Sequence, residues 1–175
     1  VDEWPVELFV HTTTSLSDWY ERDRARLRNT LADMVATGLP LVGGDVVDTL
    51  KAEAESVIVS GPPPLNETDW QDRRYFLTDA VDDLAGALDR DERDAIAGQV
   101  LVQSAEFSLL THNQWLGGGK WLIRRLRQMD ADLSNRLSTA HRRCIANGEP
   151  AELIAFAEEV LQPAGGRLME GYRRS

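Results

Sequence analysis

The sequence contains few of the residues from which metal and redox sites are usually built. Among its 175 residues are one cysteine, Cys144, and three histidines. A single thiol cannot form a disulfide within the chain, and the histidines form no HExxH or HxH pattern. Zinc catalysis therefore has no support, and no metal ligands are assigned. Cys144 lies in a helical pattern and is interpreted as a small buried side chain.

Excess positive charge and long apolar runs are also missing. The formal net charge is −10, which argues against duplex nucleic acid as a partner, because neutralising phosphates requires a positive face. The acidic surface is compatible with a cationic ligand or with solubility alone. No apolar run approaches the roughly 18 residues of a membrane span, and no signal peptide is visible, so we expect a cytoplasmic protein without a membrane partner.

Residues that are typical of helix ends, in contrast, occur frequently along the chain. Apolar residues recur at helical spacing between capping residues and glycines, and the charged stretch 21–28 divides the first such pattern. Asp89 or Asp91 is predicted to cap an apolar helix that runs to about Trp115 at the centre of a bundle. We predict a mainly α protein in which residues 15–175 form a bundle of about five to seven helices.

One segment departs from the helical pattern. Residues 6–12, VELFVHT, alternate apolar and polar side chains as a half-buried β-strand does. The two faces are Val6, Leu8 and Val10, and Glu7, Phe9 and His11. Because a lone strand cannot satisfy its own backbone groups, we predict that residues 1–14 hold the last strand of a sheet that is otherwise missing. The alternative is a strand that pairs with another chain, giving a homodimer.

Two polar residues, Lys120 and Glu7, are candidates for a functional site because of their residue types and local sequence. Lys120 follows Gly119 and two further glycines at the predicted start of a helix. Free N–H groups, the helix dipole and the ammonium group would favour a phosphate there, and the alternative is a flexible loop with an exposed lysine. Glu7 is a candidate for deprotonating a hydroxyl or helping to hold a cation, or it simply faces solvent.

Acidic residues on two helices form a second group of candidates. Glu106 interrupts the most apolar helix and shares a polar stripe with two glutamines, which is either a pocket wall or the solvent edge of the helix. Asp79 shares a helical face with Asp82 and Asp83. Such carboxylates suit a polyamine-like substrate or a metal ion, and such a run is also typical of a solvated face.

Six short strings, taken in order, resemble a known family. They are PVELFVHT, DWYERDRARLRNTL, YFLTDAVDDL, RDERDAIAGQVL, GGGKWLIRRL and LQPAGGRLMEGYRR. Together they cover nearly the whole chain and resemble the C-terminal part of bacterial nucleotidyltransferases of the polymerase-β-like superfamily. The most similar members are aminoglycoside adenylyltransferase-like proteins, in which a helical domain stands behind a small catalytic α/β domain.

The resemblance implies a function and a set of roles. A nucleoside monophosphate would pass from ATP, with Mg²⁺, to a hydroxyl of a small, aminoglycoside-like acceptor. Glu7 would be the general base, Lys120 with Gly119 would contact the triphosphate, and residues 15–175 would be the nucleotide- and substrate-binding domain. The candidates for substrate binding are Asp82, Asp83, Asp91, Glu92, Arg93 and Glu106.

The sequence departs from this family at its signature. The family's glycine-serine turn followed by an Asp-x-Asp pair on the next strand, whose aspartates hold the magnesium ions, is not present. They would lie upstream of Val1, and the chain as printed is then expected to be inactive alone.

Two other classes of function stay open. Arg136 and His141 have the spacing of a helical-bundle ribonuclease of a toxin–antitoxin pair, although His141 also fits a packed position at the edge of the core stripe. A non-catalytic interaction bundle that dimerises through its exposed strand needs no catalytic residue at all.

Overall fold

The chain is mainly α-helical, as predicted. The computed structural model describes residues 4–173, and in that range it contains eight α-helices, one more than the upper expected number. None of the helices in this described part is both long and apolar enough to cross a membrane. The helices are α1 (Thr13–Ala25), α2 (Thr30–Thr37), α3 (Asp45–Ser60), α4 (Glu67–Gly86), α5 (Arg90–Thr111), α6 (Lys120–Met129), α7 (Ala131–Asn147) and α8 (Ala151–Leu161).

The predicted strand at residues 6–12 is wrong. Residues 4–12 have no regular secondary structure, and no β-strand occurs anywhere in residues 4–173. A strand forms only when a neighbouring strand takes up its backbone hydrogen bonds, and the regular elements near this segment in sequence are all helices. Every residue from Trp4 to Val10 is therefore left exposed.

The chain divides into two compact units, residues 1–61 and 62–175. In the first unit the side chain of Thr12 caps α1 by accepting the N–H of Ser15 at 3.1 Å. The charged stretch does divide the first helical pattern, because α1 ends at Ala25 and Leu27 adopts a left-handed φ of 57° before α2 begins. Helix α2 packs on α3. The buried core cluster of the unit is small and consists of Leu16, Tyr20, Ala32 and Ala54.

Helix α5 is the central helix of the second unit, as its apolar circumference predicted. It packs against α4, α6, α7 and α8. The carboxylate of Asp89 caps it by accepting the N–H groups of Asp91 and Glu92 at 2.8 and 3.0 Å. The helix ends at Thr111 rather than near Trp115, which packs into the core from the loop that follows. The largest side chains fully buried in this unit include Leu77, Phe107, Leu126, Leu137, Leu153 and Leu161.

The segment after α8 folds back on α4. The guanidinium of Arg74 donates to two glycine carbonyls at the start of this segment, at 3.0 and 3.1 Å. The backbone N–H of Leu168 donates to the hydroxyl of Thr78 at 3.0 Å, and the ring of Tyr172 stacks on Tyr75 with 4.1 Å between centroids. The C-terminal part of the chain is thus tied to α4 by side chains as well as by its connection to α8.

Candidate functional site

The N-terminus of helix α6 lacks the side-chain cap and the acidic residues that are common at helix N-termini. Its N-cap is Gly119, with φ 51°, so no side chain accepts the first N–H groups, and its first turn carries no acidic residue. Gly117 lies so close to the first turn that a Cβ there would be 2.5 Å from the carbonyl carbon of Trp121. The triple-glycine loop is therefore packed against α6 at its first glycine and open at its third, where a Cβ would meet nothing within 4 Å.

The outward side of α6 is basic. At 100° per residue, Lys120, Arg124 and Arg127 lie within a sector of about 60° around the helix axis and span about 10 Å along it. All three are exposed, while Leu122 and Leu126 on the opposite side are buried in the core of the second unit. The helix thus holds its position through leucines and presents a row of cations to solvent.

An exposed aromatic ring adjoins these cations. Trp121 is 49% exposed, and the guanidinium carbon of Arg124 lies 4.9 Å from the centre of its ring. We call Lys120, Trp121, Arg124 and Arg127 the α6 basic face. A cationic row beside a flat aromatic surface offers charge to an anion and stacking to a planar ring.

The cations of the α6 basic face have no acidic partners among the residues that the structure describes. Within residues 4–173 no carboxylate lies within 4.0 Å of Lys120, Arg124 or Arg127. Other arginines of the same unit are paired with acids: Arg73, Arg90, Arg136, Arg143 and Arg167. Cations gathered on one helix attract an anion more strongly than scattered ones, because their potentials add.

Two predicted substrate-binding acids are already engaged. The carboxylate of Glu106 pairs with Arg73 at 3.3 Å, so the polar stripe on α5 meets a cation from α4. Asp82 pairs with Arg167, which also contacts Glu158 and so joins the C-terminal segment to α4 and α8. The hydrogen bond to Asp82 raises the pKa of the Arg167 guanidinium further, so it is charged at every relevant pH.

The remaining acidic candidates lie elsewhere on the second unit. Asp83 is exposed on α4, and Asp91 and Glu92 are exposed in the first turn of α5. The guanidinium of Arg93 lies beside Gly148 at the C-terminal end of α7, where the negative end of the helix dipole favours a cation. None of these residues shares a hydrogen bond or an ion pair with the α6 basic face in the described part of the chain, so the structure does not bring the predicted site residues together.

Glu7 lies in the first unit and Lys120 in the second. The carboxylate of Glu7 is on the exposed segment before α1 and has no ion pair within residues 4–173. No group of three or more acidic, histidine or cysteine side chains in that range is placed to hold a metal ion. The described residues thus do not fit the magnesium site that the resemblance implies, and no chemical step through magnesium is assigned to them.

Arg136 and His141, the pair proposed for the ribonuclease alternative, lie in different surroundings. Arg136 pairs with Glu159 and lies over the ring of Phe156, at 5.6 Å from its centre, on the wall of a groove of about 450 Å³ between α7 and α8. Burial lowers the pKa of His141, and the nearby Asp94 only partly offsets it. No contact in the structure favours this alternative, which stays a prediction.

The sequence predicted Lys120 and Gly119 as candidates for nucleotide binding, and the other residues of the α6 basic face were not among the predicted site residues. The signal was the spacing of Lys120, Arg124 and Arg127 in KWLIRRLR, which places all three on one side of a helix. Trp121 gave no such signal, since a tryptophan next to two aliphatic residues is also typical of a core position. Comparison with protein-family models, with curated proteins and with solved structures found no match.

Proposed function

We propose that this chain is the helical part of a nucleotidyltransferase-type protein and that it binds a nucleoside triphosphate on the α6 basic face. The observation that carries the proposal is the set of unpaired, exposed cations beside the exposed Trp121 in a protein of net charge −10. Lys120, Arg124 and Arg127 would contact the phosphates, and the positive end of the α6 dipole would add to the attraction.

Trp121 would distinguish a nucleotide from a simple anion. Its exposed ring lies next to the cations, so a base could stack on it while the phosphates contact the charged side chains. Stacking of a base on an aromatic side chain contributes about 1–3 kcal/mol in other proteins. Inorganic triphosphate should therefore bind more weakly than ATP, although it carries the same phosphate chain.

Binding of ATP, followed by tryptophan emission, tests the proposal. Trp121→Ala should weaken binding by about tenfold and remove most of the emission change. Trp19→Ala is the matched control, because Trp19 is also exposed and also lies under an arginine, with Arg22 5.0 Å from its ring centre. Equal affinity for ATP in the wild-type chain and in Trp121→Ala would contradict the proposed site.

The acceptor is the finer part of the proposal. The exposed acids Asp83, Asp91 and Glu92 would attract a small polycationic acceptor of the aminoglycoside class. Replacing Asp91 and Glu92 by Asn and Gln should weaken aminoglycoside binding. The matched control is Asp45→Asn with Asp48→Asn, since these two acids also lie in the first turn of a helix, α3. If both double variants lose the same affinity, only the net charge matters and the acceptor site is rejected.

The transfer step itself is not assigned to residues of this chain. The resemblance gives Glu7 the role of general base, but that role requires a metal-holding sheet beside it, and the described residues supply none. Residues 4–173 therefore support the proposed binding of nucleotide and acceptor, and the transfer step is not assigned to them.

A further inference from the structure

The most exposed apolar side chains of the described chain are concentrated in the first unit. Leu8 and Val10 are 85% and 82% exposed, in the segment before α1. The connection between α2 and α3 adds Leu39, Leu41 and Val42, each about 90% exposed. Soluble proteins rarely leave a contiguous apolar surface of this size uncovered unless another molecule covers it.

Two adjoining grooves extend from Phe9 in this segment to Leu39 in the connection between α2 and α3. A groove of about 570 Å³ is lined by Phe9 and His11 together with residues of α1, α2 and α3. A second groove, of about 230 Å³, has Leu39 on its wall. The two share the residues Met34, Val35 and Leu50. Phe9 and His11 thus lie on the wall of a groove that continues towards Leu39, beside a buried core cluster of only four residues.

We propose that residues 6–12 pair with the same residues of a second copy of this chain, as a two-stranded antiparallel ribbon centred on Phe9. The ends of the segment determine the register. Pro5 has no N–H to donate, and the N–H of Thr12 already donates to the hydroxyl of Ser15 at 2.9 Å in the cap of α1. Full overlap of the residues between these limits puts Phe9 opposite Phe9 of the other copy.

The same register is complementary in charge and in polarity. It places Glu7 opposite His11 of the other copy, and because the arrangement is two-fold symmetric this contact occurs twice. Leu8 then faces Val10, and the aromatic rings of the two Phe9 residues meet at the centre. Shifting the register by one residue would put Glu7 opposite Val10 or Thr12, and shifting it by two would put Glu7 opposite Phe9 or Thr13.

The exposed apolar area is sufficient for a stable interface. Five large apolar residues of the segment 4–10 and five around the grooves are exposed: Trp4, Val6, Leu8, Phe9 and Val10, and Met34, Leu39, Leu41, Val42 and Val46. If each side chain exposes on the order of 100 Å², their summed exposed area is larger than the roughly 800 Å² per partner that a specific interface buries. An isolated two-stranded ribbon is only marginally stable, and the apolar surface of the first unit supplies the support it needs.

This pairing gives Glu7 a role other than general base. Its carboxylate would accept a hydrogen bond from the imidazole of the other copy and set the register of the ribbon. The inference does not depend on nucleotide binding, because the α6 basic face belongs to the second unit. Lys120→Ala should leave the association unchanged, so the failure of either proposal would not be mistaken for failure of the other.

Sedimentation equilibrium of the whole chain tests the association, and a charge exchange tests the register. The native chain should change from monomer to dimer as its concentration rises. His11→Glu should weaken the dimer by about tenfold, because it places two carboxylates opposite each other twice. Glu7→Arg should also weaken it, because it removes the acceptor of the hydrogen bond from His11 twice. The double variant should recover the native affinity. A native chain that stays monomeric throughout, or a double variant as weak as the single ones, would overturn the proposal.

His11 also contacts its own helix, with the ring nitrogen 3.4 Å from the hydroxyl of Ser15 and the ring edge-on to Trp19. A second variant avoids this complication. Phe9→Cys should form a disulfide between two copies on mild oxidation, since opposed residues in an antiparallel pair have Cα atoms about 4.5–5.5 Å apart. The native Cys144 is fully buried and does not compete. Val6→Cys, which would lie opposite Thr12, is the control. Equal crosslinking of both variants would exclude a ribbon centred on Phe9.

Discussion

Gly117 is the residue at which the triple-glycine loop is most tightly constrained. A Cβ at this position would lie 2.5 and 2.7 Å from backbone atoms of Trp121 and Leu122, which cannot move without disturbing the start of α6. The loop was open to two interpretations, a flexible connection or a site of close approach to a ligand. Its first glycine proves to be required by packing within the protein, and Gly118 and Gly119 are exposed to solvent.

Gly117→Ala should lower the free energy of unfolding by about 1–3 kcal/mol, the usual cost of forcing an extra methyl group into a packed site. Urea unfolding monitored by circular dichroism would measure it. Gly98→Ala is the matched control: Gly98 is inside α5 with nothing within 4 Å of its added Cβ, so alanine there should raise the stability by about 0.5–1 kcal/mol. Equal effects of the two substitutions would contradict the packing assigned to Gly117.

His141 is expected to make the fold sensitive to acid. Burial lowers its pKa below the ordinary 6.5, with Arg142 lowering it further and Asp94 partly offsetting both. Between the folded-state pKa and 6.5 the unfolded chain binds more protons, so stability is fully present above 6.5 and falls as the pH falls. Unfolding curves on both sides of this range should show a smaller pH dependence in His141→Gln. An unchanged dependence would mean that His141 titrates alike in both states.

At the scale of the helices, capping residues and apolar spacing predicted most of what is observed. Asp89 and Asp130 cap α5 and α7 as expected, and the glycines at 61 and 148 end α3 and α7. These signals are local, so the sequence contains them in full. The pairing of the C-terminal segment with α4 could not be predicted in this way. It joins residues about 90 positions apart through side chains that, taken singly, look like ordinary surface residues.

Thr78 is the residue that ties this segment to α4. Its hydroxyl accepts the N–H of Leu168 at 3.0 Å and donates to the carbonyl of Arg74 at 2.8 Å, and Thr78 is fully buried. Thr78→Val keeps the shape but leaves the N–H of Leu168 without its acceptor, so the free energy of unfolding should fall by about 1–3 kcal/mol. Thr78→Ser retains the hydroxyl and should cost less. Hydrogen exchange at Leu168 would be faster in the valine variant only.

At the same scale, the predicted strand shows where local pattern is insufficient. The alternation in residues 6–12 is that of a strand, but a strand is completed by a neighbour that local pattern does not specify. The basic face of α6 illustrates the reverse case. Its cations are visible in the sequence, but that they lack acidic partners depends on where all the acids of a folded unit lie.

At the scale of the whole molecule, the two units differ in how much apolar surface they bury. The second unit has a core of fully buried leucines and a phenylalanine around α5, whereas the core cluster of the first unit has four residues, two of them alanine. Hydrogen exchange should therefore show that amides of α2 and α3 open at a lower free energy than those of α5. Exchange at the same rate in the two units would indicate that they unfold together as one cooperative body.

The α6 basic face as a nucleotide site is the central claim, and calorimetry with magnesium-ATP tests it most directly. Lys120→Ala and Arg124→Ala should each weaken binding by about tenfold, since each removes a charged contact to phosphate. Arg143→Ala removes the same charge from an arginine that is already paired with Glu152, and it should bind ATP as the native chain does. Affinities that are the same in all four proteins, or that fall equally in all three variants, would contradict the claim.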